Sequence, residues 1–256
     1  MLGLTAALVS MLLNGYFVIP YLIPKFQAKR QSNSQTRLMS ANMMYGHRSP
    51  EKFLSKIYKI DPDILVLQEM SASNQEKVAD LWDKFPFASD RPNGGSREIL
   101  VFSKIPIDSV EHIVGDKPWR AQAKVNMMID DQPITILGIH PKAPMSPGRF
   151  ARRNNELEKI AAHVSQVDTP IIVAGDMNIT PWTPIFRKFL RDAELNDGRR
   201  GFGFNFTWAH SNLPKSIPID HVLYRDLAIH SFKSGPNTGS DHLPVIVEFS
   251  VALFGK

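Results

Sequence analysis

The 256-residue chain contains no cysteine. That absence removes disulfides, thiolate metal sites and a cysteine nucleophile. It does not select a redox compartment, because a thiol-free protein is stable in either. Charge is also unevenly missing. Residues 1–24 carry no charged side chain, whereas residues 25–37 hold Lys25, Lys29, Arg30 and Arg37 and no acid. Of the formal net charge of +5, this leaves only +1 on residues 38–256. A body so close to neutral lacks the basic face of a tight nucleic-acid binder. The chain also has neither the glycine-rich phosphate loop of nucleotide-binding folds nor a GxSxG nucleophile turn.

What is present is an ordinary globular balance, 43% hydrophobic and 21% charged, in a chain long enough for one large domain with a substantial core. The uncharged stretch Leu2–Pro24 meets the length of roughly 20 apolar residues that a bilayer-spanning helix needs, although Pro20 shortens the regular part. No positive residue precedes it and no small-x-small cleavage site follows, which favours a membrane anchor over a signal peptide. The basic cluster behind it predicts that the C-terminal side, with the rest of the chain, faces the cytoplasm. The expected organisation is an anchor over 1–24, a basic and polar linker over 25–36 and a catalytic domain over 37–256. Nothing in the sequence calls for an obligate protein partner.

Apolar runs and alternations predict strands over Arg37–Met43, Asp63–Gln68, Glu98–Ser103, Arg120–Met127, Pro133–His140, Pro170–Ala174, His221–Tyr224, Leu227–Lys233 and Pro244–Val251. Helical spacing predicts Pro50–Ile60, Asn74–Lys84, Arg149–Val167 and Pro184–Asp192. Strands outnumber helices, which points to an α+β class with two packed, mainly antiparallel sheets and helices outside.

The polar residues cluster at strand ends. Asn42 closes the first strand after the linker, Glu69 the second and His140 the fifth; Asp176 and Asn178 follow Ile171-Ile172-Val173 in GDMN. SIPID ends in Asp220, just before the strand at His221–Tyr224, and Asp241 and His242 stand just before the last strand. One such residue is an ordinary turn signal. Several of them, drawn only from Asn, Glu, His and Asp, make a chemical set. Carboxylates are hard ligands for magnesium or manganese. A histidine with a carboxylate on one ring nitrogen can donate to a phosphate oxygen from the other. An aspartate can orient and deprotonate water, and an asparagine can donate to an anionic phosphoryl oxygen. Together they suit metal-assisted phosphoester hydrolysis.

In order along the chain, Asn42, LQE at 67–69, IHP at 139–141, GDMN at 175–178, IDHV at 219–222 and SDHLP at 240–244 resemble the motifs of the endonuclease/exonuclease/phosphatase superfamily. That superfamily includes pancreatic deoxyribonuclease, exonuclease III-type repair nucleases, neutral sphingomyelinases and inositol polyphosphate 5-phosphatases. The chain resembles a membrane-anchored, bacterial-type member. The resemblance implies a four-layer α/β/β/α sandwich and a Mg²⁺ cofactor, with Mn²⁺ as the substitute. It implies Glu69, Asp241 and Asn42 at the metal, and His140, Asp176, Asn178, Asp220 and His242 as catalytic residues. Asn42, His140, Asn178 and His242 would contact the substrate. The implied reaction is phosphodiester hydrolysis, nuclease-like, by water activated at Asp176. A membrane-associated phospholipid or inositol-phosphate esterase is the alternative substrate class, and a non-catalytic binding module on the same fold is the last. His221 should point away from Asp220 by strand alternation and be structural. Of Arg149, Arg152 and Arg153, at least two should lie on a solvated helix face.

Overall fold

The computed structural model describes residues 2–24, 35–90, 98–113, 121–208 and 216–251. The basic cluster at 25–30, most of the expected linker and the expected strand start at Arg120 lie outside them. Two six-stranded mixed sheets face each other, as the α+β sandwich requires. The first has the order β11 (Leu227–Ser234), β12 (Val245–Val251), β1 (Thr36–Asn42), β2 (Ile64–Gln68), β4 (Ile99–Ser103), β3 (Phe87–Ala88). The second runs β5 (Ile107–Ile113), β6 (Gln122–Ile129), β7 (Gln132–Gly138), β8 (Ile171–Asp176), β10 (Asp220–Arg225), β9 (Asn196–Asp197). Each sheet contains one parallel pair, β1 with β2 and β7 with β8, and is otherwise antiparallel.

Strand alternation builds the layers. Leu38, Ile64, Val66, Val125, Ile136 and Ile172 turn into the space between the sheets. Their neighbours Met39, Leu65 and Leu67 turn outward onto Phe53 and Ile57 of α2 (Pro50–Ile60) and Leu81 of α4 (Leu81–Lys84). On the other side Leu137, Ile171 and Val173 meet Leu157, Ile160 and Val164 of α5 (Pro147–Val164) and Phe186 and Phe189 of α6 (Pro184–Asp192). Each such buried side chain contributes roughly 1.5–3 kcal/mol. The starts of α5 and α6 share one device, a capping hydroxyl followed by proline. Ser146 accepts from the Arg149 amide and Thr183 from the Phe186 amide, with Pro147 and Pro184 at the first helical position. The helix expected over Asn74–Lys84 is instead two short pieces, α3 (Ala72–Lys77) and α4. Asn74 and Gln75 turn inward to hold the carbonyls of Met44, Glu69 and Met70, and the chain breaks at Val78. Three strands escape the sequence reading: the two-residue β3 and β9, and β5, an edge strand whose middle residues Asp108–Glu111 are exposed and mostly polar.

The expected membrane anchor is overturned. Residues Leu2–Leu22 do form a helix, α1, but among the described residues no helix is long and apolar enough to cross a membrane. Polar groups interrupt it: Asn14 donates to the Ser10 carbonyl at 2.7 Å, and Pro20 lies inside. Its last turn is committed to the sandwich. The Gly201 and Gly203 amides donate to the carbonyls of Pro20 and Tyr21 at 3.1 and 2.8 Å, the Arg187 guanidinium lies 4.0 Å over the Phe17 ring, and Tyr21 is buried. With the anchor goes the cytoplasmic-side assignment that depended on it.

Candidate active site

Strand direction gathers the site. Because β1 runs parallel to β2, and β7 to β8, Asn42, Glu69, His140 and Asp176 all leave their strands at one edge of the sandwich. Antiparallel strands deliver their beginnings to the same edge. Asp220 of β10 pairs with Asp176, Ser40 of β1 pairs with Val245 just after the Asp241–His242 turn, and Ile99, following Glu98, pairs with Gln68. The Ser240 hydroxyl ties that turn to the Asn42 carbonyl at 2.8 Å.

Asp176 is the centre. Its Oδ1 accepts from the Asn178 amide at 2.8 Å. Its Oδ2 faces Asn42 Nδ2 at 3.2 Å, Asn178 Nδ2 at 3.3 Å, His140 Nε2 at 3.5 Å and His242 Nε2 at 3.8 Å. Burial opposes the charge, but the hydrogen bond from His140 and the positive charges of His242 and His140 hold the carboxyl below its ordinary range. Gly175 permits this geometry. Its φ is +149°, and a Cβ there would sit 1.9 Å from the Ile139 carbonyl oxygen, next to His140. Asn178 adopts a left-handed φ of 52° and donates to the Pro141 carbonyl at 3.0 Å.

Each histidine is backed by a carboxylate. His242 Nδ1 lies 2.9 Å from Asp220 Oδ2, and His140 Nδ1 lies 2.9 Å from Glu98 Oε1. For His140, burial disfavours the cation, but hydrogen bonds to Asp176 and Glu98 and their charges raise it to about 10. For His242, burial is likewise overcome, by Asp220 and then Asp176 and Asp241, and it too is raised to about 10. At neutral pH both rings are imidazolium. Glu98 went unrecognised in the sequence because it reads as the first residue of an apolar run. Its one signal is the antiparallel register of β4 against β2, which places it beside the Glu69 corner.

Glu69 stands at the same edge with a φ of 59°. Its Oε1 accepts from Asn42 Nδ2 at 3.0 Å and its Oε2 from the Tyr45 amide at 2.6 Å. Asn42 turns its amide nitrogen to the carboxylates, since its oxygen accepts from the Met44 amide at 2.8 Å. Its amide nitrogen thereby bridges Glu69 and Asp176. Asp241 is exposed, with Oδ2 3.3 Å from Trp208 Nε1. Among the described residues one group, Asp176, Asp220 and His242, brings His and Asp ligand atoms within 4.8 Å of one another, and Glu69 and Asp241 stand outside it. Glu69, with one donor on each oxygen and lone pairs remaining, has the donor chemistry of a hard-ion ligand that leaves water in the ion's other positions.

The surrounding residues are structural. His221 is fully buried and pushed down to about 3 by burial and by the Arg199 guanidinium, so it is neutral. Its Nδ1 meets Arg199 at 2.9 Å and its Nε2 meets the Ile179 carbonyl at 2.8 Å, as strand alternation expects of a residue facing away from the site. Arg149 and Arg152 are exposed, while Arg153 is buried and donates to the Asn178 carbonyl at 2.5 Å.

The Endonuclease/Exonuclease/phosphatase family matches residues 39–242, from β1 to the second histidine of the site. The chain belongs to that family. Curated relatives include a UPF0294 protein of Vibrio parahaemolyticus, 23% identical over 86% of this chain and 79% of its own. Another, from Vibrio campbellii, is 24% identical over 76% and 70%. Among solved structures the fold is shared with sphingomyelinase C from Streptomyces griseocarneus (TM-score 0.63, 17% identity, 84% of this chain and 99% of that one). It is also shared with an endonuclease/exonuclease/phosphatase from Beutenbergia cavernae (TM-score 0.65, 19% identity, 85% and 72%). A truncated Caenorhabditis elegans TDP2 shares it as well (TM-score 0.63, 14% identity, 86% and 99%). Family membership makes the chain a phosphoesterase by fold, and the buried Asp176, Asp220 and His242 group could hold a metal ion.

Proposed function

We propose that the protein is a divalent-metal-dependent phosphodiesterase. The observation that carries this reading is the approach of two carboxylate-backed imidazolium Nε2 atoms to one carboxylate oxygen, at 3.5 and 3.8 Å. Both Nε2 donors face the same oxygen of Asp176, where a phosphoryl oxygen would meet them together. His140 and His242 would hold the two non-bridging oxygens. Asp176, kept ionised by its neighbours, would orient the attacking water and take its proton. Asn178 Nδ2 would keep its bond to Pro141 and turn the N–H that meets Asp176 at 3.3 Å toward the charge that develops on the phosphorus oxygens. Glu69, held by Asn42 and Tyr45, would ligate Mg²⁺ or Mn²⁺, with Asp241 at the ion's outer side; such an ion supplies charge neutralisation to the phosphate and leaving oxygen when bound. The name of the sphingomyelinase neighbour supports hydrolysis of a phosphodiester.

Two features bear on the substrate. The near-neutral charge of residues 38–256 weakens a track for many successive nucleic-acid phosphates. Trp208 is exposed beside Asp241 and His242, where a base or an apolar group next to the scissile phosphate could stack. A phospholipid or inositol phosphate is therefore the second reading. One panel tests both: bis-p-nitrophenyl phosphate, p-nitrophenyl phosphate, plasmid DNA and dispersed phosphatidylinositol phosphates, each with Mg²⁺, with Mn²⁺ and with EDTA. Metal-dependent turnover of the diester is expected, with Glu69→Gln needing more metal for half-maximal rate. Full activity in chelated protein overturns the mechanism, and cleavage of only one of the two natural substrates chooses between the readings.

A further inference from the structure

Arg199 is fully buried, yet among the described residues no carboxylate pairs with its guanidinium, and its Nε has no partner. A guanidinium in this position costs stability; replacing a buried charge by an apolar side chain of similar volume is often neutral or stabilising. Stability does not account for it, but its contacts do. Nη2 donates to the Asp220 carbonyl at 2.5 Å, directly behind the residue whose carboxylate holds His242. Nη1 donates to His221 Nδ1 at 2.9 Å, and His221 Nε2 donates to the Ile179 carbonyl at 2.8 Å, one residue after Asn178. One cation and one neutral imidazole thus bracket the backs of both strand ends that carry the site.

The Arg199 amide itself donates to Asp197 Oδ1 at 2.9 Å, which fixes the start of the side chain. We propose that Arg199 is a positioning residue for the Asp220–His242 pair and the Asn178 turn. The inference rests on the hydrolytic reading of those two groups.

The test uses the full chain with Arg199→Met and Arg199→Lys. It reads thermal midpoint, kcat and KM on bis-p-nitrophenyl phosphate, and the downfield imidazole N–H proton of His242 by NMR. Arg199→Met should melt within a few degrees of wild type and hold KM within about threefold, while kcat falls on the order of 10²-fold, the usual cost of misplacing a reacting group by about 1 Å. The His242 proton should weaken or vanish by exchange. Arg199→Lys should recover part of kcat through one remaining donor. If Arg199→Met does not fold, Arg199→Lys decides: a wild-type melt with reduced kcat supports positioning. Unchanged kcat and an unchanged His242 proton in a folded Arg199 variant overturn the proposal. If wild type hydrolyses no diester, the proton resonance alone decides, so the two readings fail separately.

Discussion

Replacing Glu98 by glutamine removes a charge while preserving shape. Glu98 is 3% exposed; its Oε1 lies 2.9 Å from His140 Nδ1 and accepts from the Tyr45 hydroxyl at 3.0 Å. The amide oxygen of Glu98→Gln can still accept both bonds, so the loss is the charge assistance alone, roughly 1.5–3 kcal/mol for a hydrogen bond to a charged group. An upper bound comes from His140 itself: a rise from 6.5 to about 10 corresponds to on the order of 5 kcal/mol, shared between Asp176 and Glu98. The folded value lies above the unfolded one, so the folded protein binds the extra proton. This stabilisation is complete below about pH 6.5 and is lost as pH rises through about 10. The difference in unfolding free energy between wild type and Glu98→Gln should therefore be largest near pH 6 and shrink toward pH 10. Urea denaturation of both proteins across that range measures it, and the two-protein difference cancels lysine and tyrosine titrations common to both. The His140 ring proton, followed by NMR, should titrate at lower pH in the variant. A variant with wild-type stability at pH 6 and an unmoved His140 titration would refute the pairing.

Two other substitutions probe the centre. Asp176→Asn keeps size but removes the carboxylate between two imidazolium rings; kcat should fall by about 10²–10⁴-fold, and both histidines should titrate at lower pH. A kcat within a few-fold of wild type, with only the melting temperature moved, would make Asp176 a turn cap instead. Gly175→Ala places a Cβ 1.9 Å from the Ile139 carbonyl oxygen at a φ of +149°, so either the strand shifts or the fold strains. A loss of about 3 kcal/mol or more is expected, roughly 6–12 °C in thermal midpoint for a domain of this size; an unchanged melt would contradict the close approach.

Local chemistry was legible in the sequence. The prolines and the apolar spacing of α2 and α6 place those helices at their observed limits, because a helix start and an amphipathic face are set within a few residues. The apolar runs mark nine strands, and the polar residues at their ends mark the residues that the sandwich brings to one edge. Tertiary structure decided what depends on partners distant in sequence. Glu98 becomes the support of His140 only because β4 runs antiparallel to β2. Arg199 and His221 become a bracket only because β10 lies against β8. β5 is invisible to hydrophobic patterning because an edge strand with exposed faces needs no apolar alternation. The first 22 residues show most plainly what sequence leaves open. Their lack of charge is consistent with lipid or with a protein surface, and the choice is made by backbone donors at Gly201 and Gly203, about 180 residues away, and by the pocket that receives Tyr21.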